Sequence, residues 1–182
     1  MSDEILFKPQ ALILEDPLEF DRLKEVSGHW ELQWTRMKPG ELEVGISIFD
    51  TPRLQYSCFN YNNGIFIQGS PPKGSVAISI SQSEDLVSSH SRSVDPYELI
   101  ILKYGEEVDY IANNTNTIFT LVIEEQYFLQ SFFHYFGETL EEMRKQQRLL
   151  LEEKYTGMFI AHLEHWLHYF ASEQREFDRE VY

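Results

Sequence analysis

A chain of 182 residues is long enough for one domain with a sizeable core, or for a domain with an appendage. Its apolar share of 42% and aromatic share of 14% belong to a folded chain rather than a disordered one. With 30 acidic and 15 basic residues the formal net charge is −15, which repels a phosphate backbone and argues against direct nucleic-acid contact. Cys58 is the single cysteine, so no intrachain disulfide can form. The start, MSDEILFKPQ, lacks a basic-then-apolar leader, and no apolar run approaches the roughly 20 residues of a membrane span. We therefore expect a soluble cytoplasmic chain without membrane contact. Asn113-Asn114-Thr115 has the form of a glycosylation sequon and is read as chance in that setting.

After a short helical or irregular start, Pro17 to Val26 reads as an amphipathic helical stretch with Leu18, Phe20 and Leu23 apolar. The period then drops to two. His29 to Met37 puts Trp30, Leu32, Trp34 and Arg36 on one face, and Leu42, Val44, Ile46 and Ile48 repeat the alternation. Leu54, Tyr56 and Cys58 share a face of the next strand, and Asn62-Asn63-Gly64 is a hairpin signal. Ile65 to Gln68 leads into Gly69-Ser70-Pro71-Pro72-Lys73-Gly74, where proline and glycine together specify a sharp reversal. Val76, Ile78 and Ile80 then read as an inner face, and Val87 to Ser91 as a weak edge strand. Leu99 to Leu102, Val108 to Ile111 and Ile118 to Ile123 complete about eight or nine short strands, the pattern of a sandwich or barrel.

From about Glu125 the apolar period lengthens and proline disappears. A helix carries Tyr127, Phe128 and Phe132, and Gly137 suits its end. Thr139-Leu140-Glu141-Glu142 has the form of a capping box for a second helix with Leu140, Met143, Leu150 and Leu151 on one stripe. Tyr155-Thr156-Gly157 marks a joint before a final helix. There Phe159, Leu163, Trp166, Leu167 and Phe170 follow one another at helical spacing. The fold class is thus mainly β with C-terminal helices.

The candidate chemistry is thin. His162, His165 and His168 stand at i, i+3 and i+6, spread around a helix rather than at the i, i+4 spacing of a metalloprotease pair. A solvated or subunit-lining role suits them better than a metal site. In the strand region only His29 and His90 are available, so we expect no metal, no cofactor and no catalytic residues. Cys58 on an apolar strand face reads as a buried, inert thiol. Arg36 shares a face with two tryptophans; it either snorkels to the rim of the strand or meets an anionic partner. If that face lines a pocket, Trp34, Arg36, Tyr56 and His90 are the candidate ligand-binding residues, for a small organic anion. The final helix stripe of Phe159, Leu163, Trp166, Leu167 and Phe170 needs a cover. Either the barrel's own flank or a second copy of the chain in a homodimer could supply it.

The order of these features resembles a known family. Asp21 onward, with Phe49-Asp50, Arg53-Leu54-Gln55-Tyr56 and Gln68-Gly69-Ser70-Pro71-Pro72-Lys73-Gly74, is similar to the N-terminal cupin-like domain of AraC-family transcription regulators. Pro96 to Leu102, followed by Gly105-Glu106-Glu107, resembles the strand and turn that close that barrel, and Gln126 to Arg175 resembles the family's dimerisation helices. The resemblance implies a cupin-like double-stranded β-helix, a jelly-roll barrel, over residues 1–124, acting as a metal-free sensor. It also implies a dimerisation appendage of two to three helices over 125–182, in a bacterial, cytoplasmic regulator. The family's helix-turn-helix half is missing from a chain that stops at Val181-Tyr182, so we expect no direct DNA contact. The alternatives are a small metal-free cupin-type enzyme, or a protein-interaction module whose barrel is filled by side chains. A pocket on the order of several hundred Å³ in the structure favours sensing over a filled barrel.

Overall fold

Period-two alternation becomes two antiparallel sheets in the computed structural model, which describes residues 6–8, 10–14, 23, 30–40, 42–83, 87–89, 92–136 and 148–180. The larger sheet runs in the order β1 (Gln10–Leu14), β3 (Val44–Thr51), β4 (Leu54–Tyr61), β11 (Asn116–Glu124), β6 (Ser75–Ser83), β9 (Glu98–Lys103), β12 (Arg148–Leu150). The smaller runs β2 (Glu31–Arg36), β5 (Ile65–Ser70), β10 (Val108–Ala112), β7 (Val87–Ser89), β8 (Arg92–Val94). Helices α1 (Glu125–Phe136) and α2 (Glu153–Glu180) follow.

The pairing itself identifies the topology. Strand β4 pairs with β11, β5 with β10, β6 with β9 and β7 with β8, each antiparallel. That is one long ribbon whose tip is the β7–β8 hairpin. The ribbon is coiled so that β11 also meets β6, and β10 also meets β7. Eight strands wound in this way are a jelly roll, the double-stranded β-helix seen in cupins.

Coiling explains where the turn chemistry was misread. Along each arm of the ribbon, from β4 to β7 and from β8 to β11, consecutive strands fall in opposite sheets. Asn62-Asn63-Gly64 is therefore a corner between sheets rather than the hairpin its sequence suggests. The Gly69–Gly74 segment likewise carries the chain from the smaller sheet to the larger. Gly69 has φ +150°, and a Cβ there would lie 1.9 Å from the backbone oxygen of Glu31, on the strand it pairs with. The segment closes with the Ser75 N–H and hydroxyl both donating to the Pro72 carbonyl, at 3.2 and 2.7 Å. The Glu125 N–H donates to the Gly74 carbonyl at 2.8 Å, tying the start of α1 to the same turn.

Further differences have local causes. Residues 10–14 form a strand on β3 rather than an irregular start, because Leu12 packs on the core from that sheet edge. Of Pro17–Val26 only Leu23 is described; it is helical and fully buried. Thr139–Glu142 and Met143 lie outside the described residues. The helix expected to run on to Leu151 is, over Arg148–Leu150, a strand on the open edge of β9. Arg148 holds it there. Its guanidinium donates to Glu98 Oε2 at 3.3 Å, to the Ser93 carbonyl at 3.2 Å and to the Ser89 carbonyl. Tyr155-Thr156-Gly157 lies inside α2 rather than at a joint.

Both faces of the larger sheet are buried. Gln55 and Ser57 (β4), Ser79 and Ser81 (β6) and Asn116 and Thr120 (β11) face the smaller sheet. Tyr56, Cys58, Ile80 and Phe119 face outward, beneath Ile160 and Leu163 of α2. Ile78 and Ile80 are thus on the outer face, not the inner one. Period two separates the two faces but does not say which one a later helix will cover.

Candidate functional site

Two cavities follow from this layering. Between the sheets lies a small one of about 70 Å³, lined by Trp30, Leu32 and Trp34 from one side and by Gln55, Ser57 and Thr120 from the other. Its walls are largely satisfied among themselves. Trp30 Nε1–H donates to Gln55 Oε1 at 3.0 Å, and the hydroxyls of Ser79 and Thr120 lie 3.0 Å apart. Deeper in, the Ser81 hydroxyl meets Tyr110 at 2.7 Å and Asn116 Oδ1 at 2.9 Å. Asn116 Nδ2 donates to Tyr61 at 2.8 Å and also to Tyr110. Trp34 stacks obliquely on Phe59, with ring centroids 5.5 Å apart, and its Nε1–H is buried without a partner.

The larger cavity lies outside the barrel. A groove of about 860 Å³ runs between the outer face of the larger sheet and α2. Leu54, Tyr56 and Leu121 line it from the sheet, and Phe159, Leu163 and Trp166 from the helix. Arg53, Tyr127 and His162 line it as well. Arg53 pairs with Glu124 at 3.4 Å and lies over the Tyr127 ring, 5.7 Å from its centroid. The hydroxyl of Tyr56, a residue only 3% exposed, has no hydrogen-bond partner. The barrel interior thus falls short of the volume expected for a sensing pocket, whereas the groove lies within the roughly 300–1,000 Å³ usual for small-molecule sites.

The four candidate ligand-binding residues do not meet. Trp34 lines the inner cavity, as its strand face predicts. Arg36 is exposed at the end of β2 and donates from Nε to the Lys38 carbonyl at 2.9 Å, the rim position open to an arginine that ends an apolar face. Tyr56 faces the groove, on the far side of the larger sheet. His90 lies outside the described residues. Sequence reading missed Arg53, Tyr127 and His162 as neighbours. The available signal was the second apolar face of β4, β6 and β11, which required a helix above it.

The final helix divides its own stripe. Phe159, Leu163 and Leu167 pack on the sheet with Ile160, whereas Trp166 is 50% exposed; the side chain of Phe170 is outside the described set. The flank of the barrel is therefore the cover for most of the stripe. Tyr155, Met158, Trp166 and Tyr169 remain exposed, and their spacing of three, eight and three residues puts them on another face of the helix.

The thiol of Cys58 and the phenols of Tyr56, Tyr61 and Tyr110 stay neutral near pH 7. Burial pushes the Cys58 thiol from 9.0 up to about 12, which keeps it from acting as a thiolate. Burial likewise raises the phenols of Tyr56, Tyr61 and Tyr110 well above 10.0; at Tyr56 the nearby Cys58 and Glu164 add to it. These are acids with folded-state pKa above the unfolded value, so their contribution is complete below pH 9 and is lost as pH rises. Stability should fall with a slope approaching about 1.4 kcal/mol per group per pH unit beyond the unfolded values. Denaturant midpoints between pH 8 and pH 11 read this directly, and a flat profile would contradict it. Among the described residues no three His, Cys, Asp or Glu side chains converge as metal ligands, and no helix is long and apolar enough to cross a membrane.

No family model matches the chain, and no curated protein matches it in sequence. It is similar in structure to the AraC-like transcriptional activator CuxR, at 8% identity and a TM-score of 0.49 over 68% of this chain and 50% of that one. It is also similar to KdgF from Halomonas sp., at 16% identity and a TM-score of 0.36 over 53% and 91% of the two chains. A cupin superfamily protein from Desulfitobacterium hafniense gives 13% identity and 0.37 over 64% and 98%. The chain thus spans half the length of the AraC-like activator. Its own strand pairing carries the fold assignment: a jelly-roll β-sandwich followed by helices.

Proposed function

We propose that this chain is a ligand-responsive regulatory domain, the sensing part of an AraC-type transcription regulator, which binds a small organic molecule without transforming it. One observation carries the reading: a groove of about 860 Å³ with the barrel on one side and α2 on the other, and the buried, unpartnered Tyr56 hydroxyl just beneath its wall. A buried hydroxyl without a partner costs about 1–3 kcal/mol, and a ligand that supplies the partner recovers it. Because such a ligand touches sheet and helix together, its binding free energy biases the position of α2.

Apart from the buried carboxyl of Asp50, the polar groups of the barrel interior are hydroxyls, amides and neutral phenols bonded mainly to one another. Hydroxyls, amides and neutral phenols are poor general acids and bases at neutral pH, which weighs against the enzyme alternative. A thermal-shift screen of metabolites on the parent, Tyr56→Phe and Arg36→Ala tests the reading. Ligands should stabilise the parent and Arg36→Ala alike and lose effect in Tyr56→Phe. Hits that ignore Tyr56→Phe but vanish in Trp34→Phe would move the site into the barrel and overturn the reading.

The exposed stripe of Tyr155, Met158, Trp166 and Tyr169 supports a homodimer through α2. Trp166→Ala with Tyr169→Ala should shift sedimentation from dimer toward monomer at tens of micromolar, on the order of ordinary weak-dimer affinities. A parent that sediments as a monomer at that concentration removes the dimer. The small inner cavity favours a second reading, a filled barrel used only for protein contacts, under which no small molecule shifts the melting temperature.

A further inference from the structure

Resting on the reading of the groove as a ligand site, we infer that its ligand is an apolar monocarboxylic acid, one carboxylate on a hydrocarbon chain or ring. The floor and helix wall are apolar: Leu54, Leu121, Phe159, Leu163 and Trp166 have no charge to offer. Of the twelve residues lining the groove, Arg53 and His162 are the ones with basic side chains, and no carboxylate is among them. In a chain of net charge −15, a groove whose lining residues include basic side chains and no carboxylate is a local exception that disfavours an amine, even with Glu124 beside Arg53 and Glu164 near Tyr56.

Arg53 is available to a ligand. Its partner Glu124 meets it through a single contact at 3.4 Å, with the arginine side chain 55% exposed, and pairs of that kind contribute little. The guanidinium lies 5.7 Å from the centroid of the Tyr127 ring, and its planar fork can take a carboxylate in bidentate fashion. Beneath the groove wall lies the other polar group, the Tyr56 phenol, kept neutral by burial and able to donate to or accept from a ligand that displaces its cover. An apolar body fills the space between the sheet and the helix, where it removes Trp166 and Leu121 from water.

Octanoate and 1-octanol, titrated against the full chain by calorimetry, separate the class from the site. In the parent, octanoate should bind about ten- to a hundred-fold more tightly than the alcohol. Arg53→Gln should erase that difference while leaving the alcohol's affinity and the melting temperature unchanged. Equal affinities in the parent, both weakened by Tyr56→Phe, would overturn the carboxylate and leave the groove standing. No binding by either probe, or binding that ignores both Arg53→Gln and Tyr56→Phe, would overturn the groove reading and the inference together.

Discussion

Gly69→Ala should destabilise the protein more than any other single added methyl group, lowering the melting temperature by about 8–16 °C or preventing accumulation of folded protein. Two costs act at once. The backbone at Gly69 has φ +150°, where an L side chain is strained by about 1–3 kcal/mol. The new Cβ would also fall 1.9 Å from the Glu31 oxygen and 3.0 Å from the Leu32 Cα, which are backbone atoms and cannot swing aside. Relief requires β2 and β5 to separate at their paired residues Leu32 and Gly69, and β2 carries Trp34 into the core. The total is about 4 kcal/mol. Gly74→Ala is the control: its φ is +78°, but nothing lies within 4 Å of the added carbon. That change should cost only about 1–2 kcal/mol of backbone strain. Thermal unfolding of the two variants side by side checks the difference, and equal losses would refute the close approach.

Asn116→Leu should be the most costly polar-to-apolar change in the barrel, at about 2–4 kcal/mol. Asn116 is 2% exposed and joins three hydroxyls: it donates to Tyr61 and Tyr110 and accepts from Ser81. Leucine keeps the volume but leaves the Tyr61 hydroxyl buried without the bond described here. Removing that hydroxyl too should recover part of the loss, because it avoids the desolvation penalty of a buried hydroxyl left with Tyr110 as its remaining partner. The double variant Asn116→Leu/Tyr61→Phe is therefore expected to be more stable than the sum of its singles by about 1 kcal/mol or more. Strict additivity in denaturant unfolding would deny the coupling.

Much of the sandwich is legible in residues alone. Ile46 and Ile48 alternate with half-buried neighbours as their sequence requires, and Leu99 to Leu102 reads as a strand buried on both faces because it is one. What the sequence conceals is the handedness of burial. Tyr56 and Cys58 alternate with Gln55 and Ser57, and ordinary logic puts the apolar pair inside and the polar pair in water. In the protein the polar pair faces the second sheet, where Gln55 bonds Trp30, and the apolar pair lies under a helix from a distant part of the chain. Asn62-Asn63-Gly64 misleads for a related reason: turn chemistry encodes a local reversal, but whether the next strand pairs with its predecessor depends on the coiling of the whole ribbon. The groove was legible only in retrospect. Arg53 and His162 are 109 residues apart, and no local pattern links them.

The central claim is that a ligand occupies the groove and acts on α2. Amide hydrogen exchange of the full chain, with and without octanoate at saturation, tests it most directly. The account predicts slower exchange in two separate stretches, residues 156–167 of α2 and the paired segments 54–58 and 119–123 of β4 and β11, with β2 and β10 unchanged. Protection confined to β2 and β10 around Trp34 and Tyr110, with α2 exchanging as before, would contradict it.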